Sequence, residues 1–329
     1  MSSHILVTGG AGYIGSHTCK VLAEAGYVPI AYDNLTTGNR WSVKWGPLIQ
    51  GDLADSALLR QVIREYSVSA VIHFAANAYV GESVVNPRKY FENNASNTLN
   101  LLGAMLDTGI NHIVFSSTCA TYGMPSKIPI SESETQEPIN PYGDSKLFIE
   151  RVLRWYADAY RLNWTALRYF NAAGADLEGE IGEHHDPETH LIPLVIQSAL
   201  GYRPKVAIYG MDHPTNDGTP IRDYIHVMDL AEAHVLALEY LRRGGKNGPL
   251  NLGTGYGHSV LEVVAAVERI SGLNIPFRPD QKRPGDPPVL VADPSQAHQT
   301  IGWIPRYQDI HEIVETAWKW HKEKINAYI

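Results

Sequence analysis

Short apolar runs alternate with longer amphipathic stretches over about the first 170 residues. Several of these runs are apolar at nearly every position, which is typical of strands buried on both faces of a parallel sheet. The pattern predicts strands at residues 5–8, 28–32, 47–50, 70–74, 112–116 and 164–168.

Between the runs, apolar residues recur at helical spacing, so that each stretch has one face to bury. The clearest of these periods begin at Ile14, Phe91 and Ile149. A strand–helix–strand alternation of this kind predicts an α/β fold with a doubly wound, parallel sheet of the Rossmann type.

The pattern changes after residue 171. Helices are predicted at residues 191–200, 227–241, 260–271 and 309–324, and the loops around them, such as 172–189, 209–220, 243–249 and 280–288, are rich in Gly, Pro, Asp and His. Long loops in compact domains are usually functional, so we interpret this part as a smaller α/β region that carries binding loops; surface insertions are the alternative. The predicted division is a sheet domain over 1–171 and a second domain mainly over 172–329.

The composition narrows the class of protein. Hydrophobic residues make up 44% of the 329 and charged residues 19%, so the chain can bury a large core. The net charge of −8, with no block of like charges, argues against nucleic-acid or anionic membrane partners. Two cysteines, Cys19 and Cys119, indicate a reducing compartment, and no apolar run approaches the ~18 residues of a membrane span. We therefore expect a cytoplasmic protein without a signal peptide.

Three glycines follow the first predicted strand and open a helix: Gly9, Gly12 and Gly15. Glycine allows the tight turn, the close approach of backbone to a pyrophosphate and the packing of helix on strand, while the helix N-terminus attracts the anion. The context favours a dinucleotide site over a glycine-rich turn without a ligand.

Asp33 ends the next predicted strand, 18 residues after Gly15. A carboxylate there can accept hydrogen bonds from the adenosine ribose and would repel a 2′-phosphate, so NAD is favoured over NADP. A turn aspartate at a strand end is the alternative. Asp52 and Leu53 end the third strand and are predicted to bracket the adenine.

The candidate chemistry lies at Tyr142 and Lys146, which share a helix face at spacing i, i+4. A nearby ammonium would lower the pKa of the phenol and make Tyr142 an acid/base. The pair is a weak signal alone, but it follows the strand that ends at Thr118, at the sheet edge where ligands bind. Thr118 is predicted to hydrogen-bond the same substrate hydroxyl.

The order and spacing of these motifs resemble the UDP-glucose 4-epimerase group of the extended short-chain dehydrogenases/reductases. The resemblance runs through nearly the whole chain, in the segments 9–17, 33–35, 80–83, 167–174, 217–229, 251–255 and 283–286. It implies an NAD-binding domain over 1–171, to which the chain returns around 222–255, and a mainly UDP-sugar-binding domain over 172–329. It also implies a homodimer.

The resemblance implies a mechanism. Tyr142 would take the proton of the sugar 4-hydroxyl while the hydride on C4 passes to NAD, and its return to the other face of the 4-keto sugar would invert C4. Lys146 would also bond the nicotinamide ribose.

The resemblance further implies two sets of binding residues. The cofactor set comprises Gly9, Gly12, Tyr13, Ile14, Gly15, Asp33, Asn34, Asp52, Leu53, Phe74, Ala75, Ala76, Asn93, Ser116, Tyr142, Lys146, Tyr169 and Phe170. The substrate set comprises Thr118, Tyr142, Asn171, His190, Leu191, Arg222, Tyr224, Arg283 and Asp286.

Two features have competing interpretations. A guanidinium fork matches phosphate oxygens, so Arg222 and Arg283 are candidate diphosphate clamps, although ordinary surface Arg–Asp pairs are the alternative. The histidines at 184, 185 and 190 lie near Glu183 and Asp186, but their spacing fits no standard zinc pattern, and we expect no metal.

The two residues after Thr118 disfavour the reactions of related enzymes. The dehydratases and decarboxylases of the superfamily carry a carboxylate in the two positions after the threonine, where this chain has Cys119 and Ala120. Cys119 leaves a Cys-assisted, NADP-dependent epimerase-reductase as a remote alternative. A non-enzymatic, NAD-sensing regulator is the other, and the Tyr142–Lys146 pair argues against it.

The sugar itself is less firmly predicted. Ala78 stands where the group often has Lys, and Leu290 stands where some members have Tyr and others a small residue. A small residue is associated with N-acetylated sugars, so Leu290 predicts UDP-glucose and UDP-galactose as the main pair, with weak or no use of UDP-N-acetylglucosamine. A UDP-pentose 4-epimerase, which interconverts UDP-xylose and UDP-arabinose, is the main alternative.

Overall fold

The computed structural model describes residues 3–283 and 286–328, with the side chains of the last helix described up to residue 323. Pro284 and Gly285, which belong to the predicted 280–288 loop and to the 283–286 motif, lie outside the described residues. The strands are β1 (His4–Thr8), β2 (Val28–Asp33), β3 (Leu48–Gln50), β4 (Val68–His73), β5 (His112–Thr118), β6 (Asn163–Tyr169), β7 (Asn171–Ala173), β8 (Val206–Tyr209), β9 (Ile221–Arg222), β10 (Tyr224–His226), β11 (Gly248–Leu252), β12 (His258–Ser259), β13 (Phe277–Asp280) and β14 (Val289–Leu290).

The α-helices alternate with these strands. They are α1 (Tyr13–Glu24), α2 (Ser56–Glu65), α3 (Val80–Val85), α4 (Pro87–Tyr90), α5 (Asn97–Thr108), α6 (Pro141–Tyr160), α7 (Leu191–Ala199), α8 (Val227–Arg242), α9 (Val260–Ser271), α10 (Ser295–Ile301) and α11 (Ile310–Tyr328). A π-helical segment at Phe91–Ser96 precedes α5. Among the described residues, no helix combines the length and the apolar character needed to cross a lipid bilayer.

A seven-stranded parallel sheet forms the centre of the molecule, in the order β11-β6-β5-β4-β1-β2-β3. The predicted doubly wound parallel sheet is confirmed, and each of the predicted strands lies within two residues of its observed bounds. Strand β11 was not predicted as a strand. It begins with Gly248 and Pro249, and proline is tolerated there because β11 lies at the edge of the sheet.

Two helical layers cover the sheet. Helices α1, α8 and α10 bury Leu22, Leu230 and Ala297 on one face, among other side chains. Helices α2, α5 and α6 cover the other face. Helix α2 was not predicted, although its N-cap carried a signal: the Asp55 carboxylate accepts the backbone N–H groups of Ala57 and Leu58 at 3.1 and 2.9 Å.

A separate core forms from later parts of the chain. Helices α7, α9 and α11 pack around buried aliphatic side chains that include Val195, Val263 and Val314. The predicted helices of this region are all present. Helix α8 and strand β11 pack instead with the central sheet, and the division at residue 171 stays a prediction.

A buried ion pair joins α6 to the sheet. The Arg168 guanidinium, from β6, donates to both oxygens of Glu150 on α6, at 3.0 and 2.5 Å, and the two side chains are 1% and 0% exposed. The Ser117 hydroxyl, from β5, donates to the same carboxylate at 2.5 Å. Because an unpaired charge in such a place is costly, this contact fixes the distance of α6 from both strands.

We expect replacement of Arg168 by Met to lower the free energy of unfolding by about 3–5 kcal/mol, because it leaves the Glu150 carboxylate buried without its cation. The control is Arg243→Met, which removes the partner of Glu239 in a pair whose arginine is 78% exposed and should change stability by less than about 1 kcal/mol. Urea unfolding followed by circular dichroism measures both. Equal effects of the two substitutions would contradict the assigned role.

Candidate active site

A cleft of about 1460 Å³ opens at the carboxyl edge of the central sheet. Parallel doubly wound sheets bind ligands at this edge, where the strand order reverses between β1 and β4. Most predicted site residues line it: Gly9, Gly12, Tyr13, Ile14, Gly15, Asp33, Asn34, Asp52, Leu53, Phe74, Ala75, Ala76, Asn93, Thr118, Tyr142, Tyr169, Phe170, Asn171, His190, Leu191, Arg222, Tyr224, Arg283 and Asp286. Two predicted residues, Ser116 and Lys146, are buried behind its wall.

The glycine turn between β1 and α1 leaves no room for side chains. Gly9 has φ +73°, and a Cβ there would lie 2.7 Å from the Ala75 nitrogen. A Cβ on Gly15 would lie 2.1 Å from the Gly9 carbonyl oxygen. Gly12 is the N-cap of α1, whose first turn carries no acidic residue. The turn therefore brings bare backbone and a helix N-terminus to the cleft, which fits a dinucleotide pyrophosphate.

Asp33 stands beside this turn at the end of β2. Its Oδ2 accepts the Ala11 N–H at 3.0 Å and its Oδ1 accepts the Leu35 N–H at 2.8 Å. Burial raises the pKa of Asp33, and these two backbone hydrogen bonds oppose that rise. The carboxylate is thus fixed with acceptor capacity to spare, as a ribose diol requires.

The local sequence explains where α6 begins. Pro141 occupies its first turn, and the Asn140 side chain caps it by accepting the Gly143 N–H at 2.9 Å. Tyr142 and Lys146 follow on the buried face, 8% and 3% exposed. The Lys146 ammonium donates to the Ser116 carbonyl oxygen at 2.8 Å and lies 4.9 Å from the centre of the Phe115 ring.

The predicted effect of Lys146 on the pKa of Tyr142 is wrong for this arrangement. Burial raises the pKa of Tyr142, and the hydrogen bond with Thr118 opposes the rise. Burial also lowers the pKa of Lys146 to about 7, against the attraction of Glu150. The Lys146 ammonium is hydrogen-bonded to a backbone carbonyl, and its lowered pKa weakens its positive charge near pH 7. It therefore does not offset the effect of burial on Tyr142, whose phenol stays protonated.

Sequence reasoning missed the polar residues behind the wall. Asn94, next to the predicted Asn93, accepts the Asn77 N–H at 2.8 Å and donates to the Ser145 hydroxyl at 3.1 Å. It thereby ties the π-helical segment to α6. The predicted Ser116 bonds the Tyr169 hydroxyl at 2.7 Å. The available signal was an amide inside an amphipathic helix, where asparagine is disfavoured unless its side chain is used.

The opposite part of the cleft carries the predicted cations. Arg222, on β9, donates to the Asp286 carboxylate at 2.6 Å. The Arg283 guanidinium lies 4.3 Å from the centre of the Tyr209 ring. Arg222 therefore forms the Arg–Asp pair of the alternative interpretation, and both arginines line the cleft. Their role as diphosphate clamps stays a prediction.

Leu290 and Cys119 lie together near the catalytic candidates. Both pack against a small buried cluster that includes Tyr122, Phe170 and Ala292. Burial raises the pKa of the Cys119 thiol to about 12, so this residue is a packing thiol and not a thiolate. That disfavours a Cys-assisted reaction.

Two carboxylates and two imidazoles meet in the loop before α7. We call this group the Glu–His cluster; it comprises Glu183, His185, Glu188 and His190. One ring nitrogen or carboxylate oxygen of each residue lies within 4.8 Å of those of the others. The His190 Nδ1 lies 2.8 Å from Glu183 and 3.2 Å from Glu188. Although burial works in the other direction, the carboxylates raise the pKa of His190 to about 10 and that of His185 to about 9. The sequence had drawn attention to Glu183, His185 and His190 together, with His184 and Asp186, but not to Glu188.

Known proteins resemble the chain over nearly its full length. The model of the NAD dependent epimerase/dehydratase family matches residues 5–253. UDP-glucose 4-epimerase of Rhizobium leguminosarum bv. trifolii is 51% identical over 96% of this chain and 97% of its own. Crystal structures include UDP-glucose 4-epimerase from Brucella ovis in complex with NAD (TM-score 0.94, 52% identity, 97% and 98% coverage). Another is the Stenotrophomonas maltophila enzyme with NAD and formylated UDP-arabinopyranose (TM-score 0.95, 40% identity, 99% of both chains).

We expect Gly15→Ala to abolish retention of NAD, because its methyl group would overlap the Gly9 carbonyl oxygen. The matched control is Gly248→Ala, where nothing lies within 4 Å of the new methyl group. Cofactor released by denaturing each purified variant is quantified by absorbance, beside its melting temperature. A Gly15→Ala protein that keeps a full complement of NAD would show that the glycine turn is not the cradle.

Proposed function

The chain belongs to the NAD dependent epimerase/dehydratase family, and from this premise we propose that it interconverts UDP-glucose and UDP-galactose. NAD is its cofactor, and the protein is an isomerase. The observation that carries the proposal is the position of Tyr142 and Thr118 in the same cleft as the glycine turn. Relatives named UDP-glucose 4-epimerase are about half identical to it over nearly the whole chain.

The cleft suits both ligands. The close contacts of Gly9 and Gly15 form a cradle that a Cβ would fill, as expected where backbone approaches a pyrophosphate. We assign the cofactor and substrate residues as the resemblance implies, with Arg222 and Arg283 toward the diphosphate of the sugar nucleotide. Arg222 would exchange its Asp286 partner for phosphate oxygens, since a guanidinium binds either anion in the same fork geometry.

The proposed chemistry needs one group that moves a proton at O4 of the sugar. Tyr142 fills this role, and Thr118 holds the same hydroxyl in place. When bound, NAD supplies a positively charged ring that accepts the C4 hydride and returns it. A cation beside Tyr142 would lower the pKa of its phenol, which burial alone keeps high. Lys146, one turn along α6, positions this end of the helix.

Two alternatives lose ground. The pentose alternative is not favoured, because the relatives with about half of their residues identical are named UDP-glucose 4-epimerase. A regulator without catalysis is disfavoured by Tyr142, since a protein that only senses NAD has no need for an acid/base beside the sugar.

We also propose that the enzyme acts in the cytoplasm, which suits two cysteines that are both unpaired.

Incubation of the purified protein with UDP-galactose, without added NAD, should give UDP-glucose in an NMR spectrum. Parallel reactions contain UDP-N-acetylglucosamine, UDP-xylose or UDP-glucuronate, and we expect weak or no conversion. Tyr142→Phe should lower turnover about 10²–10⁴-fold, the usual contribution of a positioned acid/base, while its NAD content stays unchanged.

The control for that substitution is Tyr256→Phe, which changes an exposed tyrosine outside the cleft and should leave turnover intact. If no sugar nucleotide is epimerised even with NAD added, the proposed function is wrong. Faster conversion of UDP-xylose than of UDP-galactose would instead favour the pentose alternative.

We further propose that the protein is a homodimer that pairs through α5 and α6. Phe148 and Trp155, spaced i, i+7 on α6, are 42% and 72% exposed, and Leu99 on α5 is exposed as well. Large apolar side chains grouped on neighbouring helices favour an interface. The resemblance to the epimerase group supports the same assembly.

Light scattering after size exclusion tests the assembly. We expect a mass of twice 36.4 kDa for the protein and a monomer for Trp155→Glu, whose charge would be buried at the interface. Leu273→Asp changes another exposed apolar residue, away from α5 and α6, and should stay dimeric. A Trp155→Glu protein that remains a dimer would place the interface elsewhere.

A further inference from the structure

The Glu–His cluster has its acids inside and one imidazole at the surface of the cleft. The Glu183 and Glu188 side chains are 5% and 3% exposed, whereas that of His190 is 49% exposed. His190 is also the residue immediately before α7, where its side chain makes no capping hydrogen bond. Burial of two ionised carboxylates beneath a half-exposed imidazole costs free energy unless a cation is paired with them.

The contacts fix both the position and the orientation of His190. Its Nδ1 is the nitrogen that faces Glu183 and Glu188. The Glu188 Oε1 also accepts the N–H groups of Thr189 and His190, at 2.7 and 2.9 Å, so this carboxylate has little freedom to turn. A histidine held through Nδ1 presents Nε2 on the far side of the ring, available to a ligand.

The charges around the cluster balance only if the imidazoles are protonated. Apart from the four members, the titratable groups beside it are Tyr13 from α1, His321 from α11 and His184 from the same loop. Burial raises the pKa of Tyr13 and lowers that of His321, so both are neutral near pH 7. Two carboxylates therefore face the two imidazoles of the cluster, and neither Tyr13 nor His321 adds a charge.

We propose that Glu183 and Glu188 are positioning residues that keep His190 an imidazolium, whose Nε2–H donates to the diphosphate of the sugar nucleotide. The inference rests on the proposed function, because it needs a diphosphate in this part of the cleft. A charged donor binds phosphate more tightly than a neutral one. The N-terminus of α7 favours an anion at the same place.

Binding of UDP-glucose by NAD-loaded protein tests this, in a Tyr142→Phe background that prevents turnover. UDP-glucose carries no group that titrates between pH 6 and 9, so a change in affinity reports on the protein. With both carboxylates present, the Kd from calorimetry should stay nearly constant over this range. In Glu183→Gln/Glu188→Gln, the pKa of His190 should return toward about 6.5. The Kd should then match the parent at pH 6 and rise about tenfold by pH 8.5.

Three controls distinguish the effect of the charge on His190 from an effect on the fold. His190→Gln should bind weakly at every pH, without the pH dependence. Glu178→Gln, in the same loop but outside the cleft, should bind as the parent does. Uridine, which lacks phosphate, should bind all variants equally, which also shows that they are folded.

Several results would overturn the inference. One is a pH-independent Kd in the double variant, and another is an NMR titration that shows neutral His190 at pH 7.5 in the otherwise unchanged protein. Loss of affinity in EDTA, restored by a divalent cation, would mean that the cluster holds a metal instead. Failure of the parent to bind UDP-glucose at any pH would count against the proposed function itself.

Discussion

The ion pair between Glu150 and Arg168 is the contact on which the catalytic side of the cleft depends. It lies where α6 crosses β5 and β6, and it takes the Ser117 hydroxyl as a third partner. Lys146 and Tyr142 stand one and two turns before Glu150 on the same helix, and Thr118 follows Ser117 on the same strand. One buried electrostatic contact thus sets the distance between the phenol and the threonine hydroxyl. Apolar packing alone would allow α6 to slide along the sheet, whereas a bidentate ion pair does not.

Local signals in the sequence predicted the structural context of the proposed nucleotide site. The glycines at 9, 12 and 15 and the aspartate at 33 act within short stretches whose strand and helix patterns are strong, so their structural context followed from the chain itself. The edge strand β11 and helix α2 were not predicted. A Gly-Pro start makes Gly248–Leu252 look like a loop. Helix α2 carries an amphipathic pattern and an Asp55 cap that the sequence analysis overlooked.

Contacts between distant parts of the chain could not be predicted in this way. Lys146 was expected to act on Tyr142, its neighbour on the helix, but its ammonium is bound by a carbonyl 30 positions earlier. The grouping of Glu183, His185, Glu188 and His190 depends on the path of an irregular loop, which no hydrophobic period reveals. The sequence drew attention to Glu183, His185 and His190, but spacing rules could not show that Glu188 joins them. Such sites become visible only once side-chain distances are known.

The protein carries a net charge of −8, although both of its proposed ligands are anions. An acidic protein repels a dinucleotide and a sugar nucleotide at long range, but salt screens that repulsion beyond about 8–10 Å. Binding is then decided by the few donors within reach of each phosphate. The donors that we propose for this role are the bare backbone at the start of α1, the guanidinium groups of Arg222 and Arg283, and the imidazole of His190. Each cation among them has a carboxylate or an aromatic ring beside it. Such partners hold a cation in place before a ligand arrives, so less conformational freedom is lost when a phosphate binds.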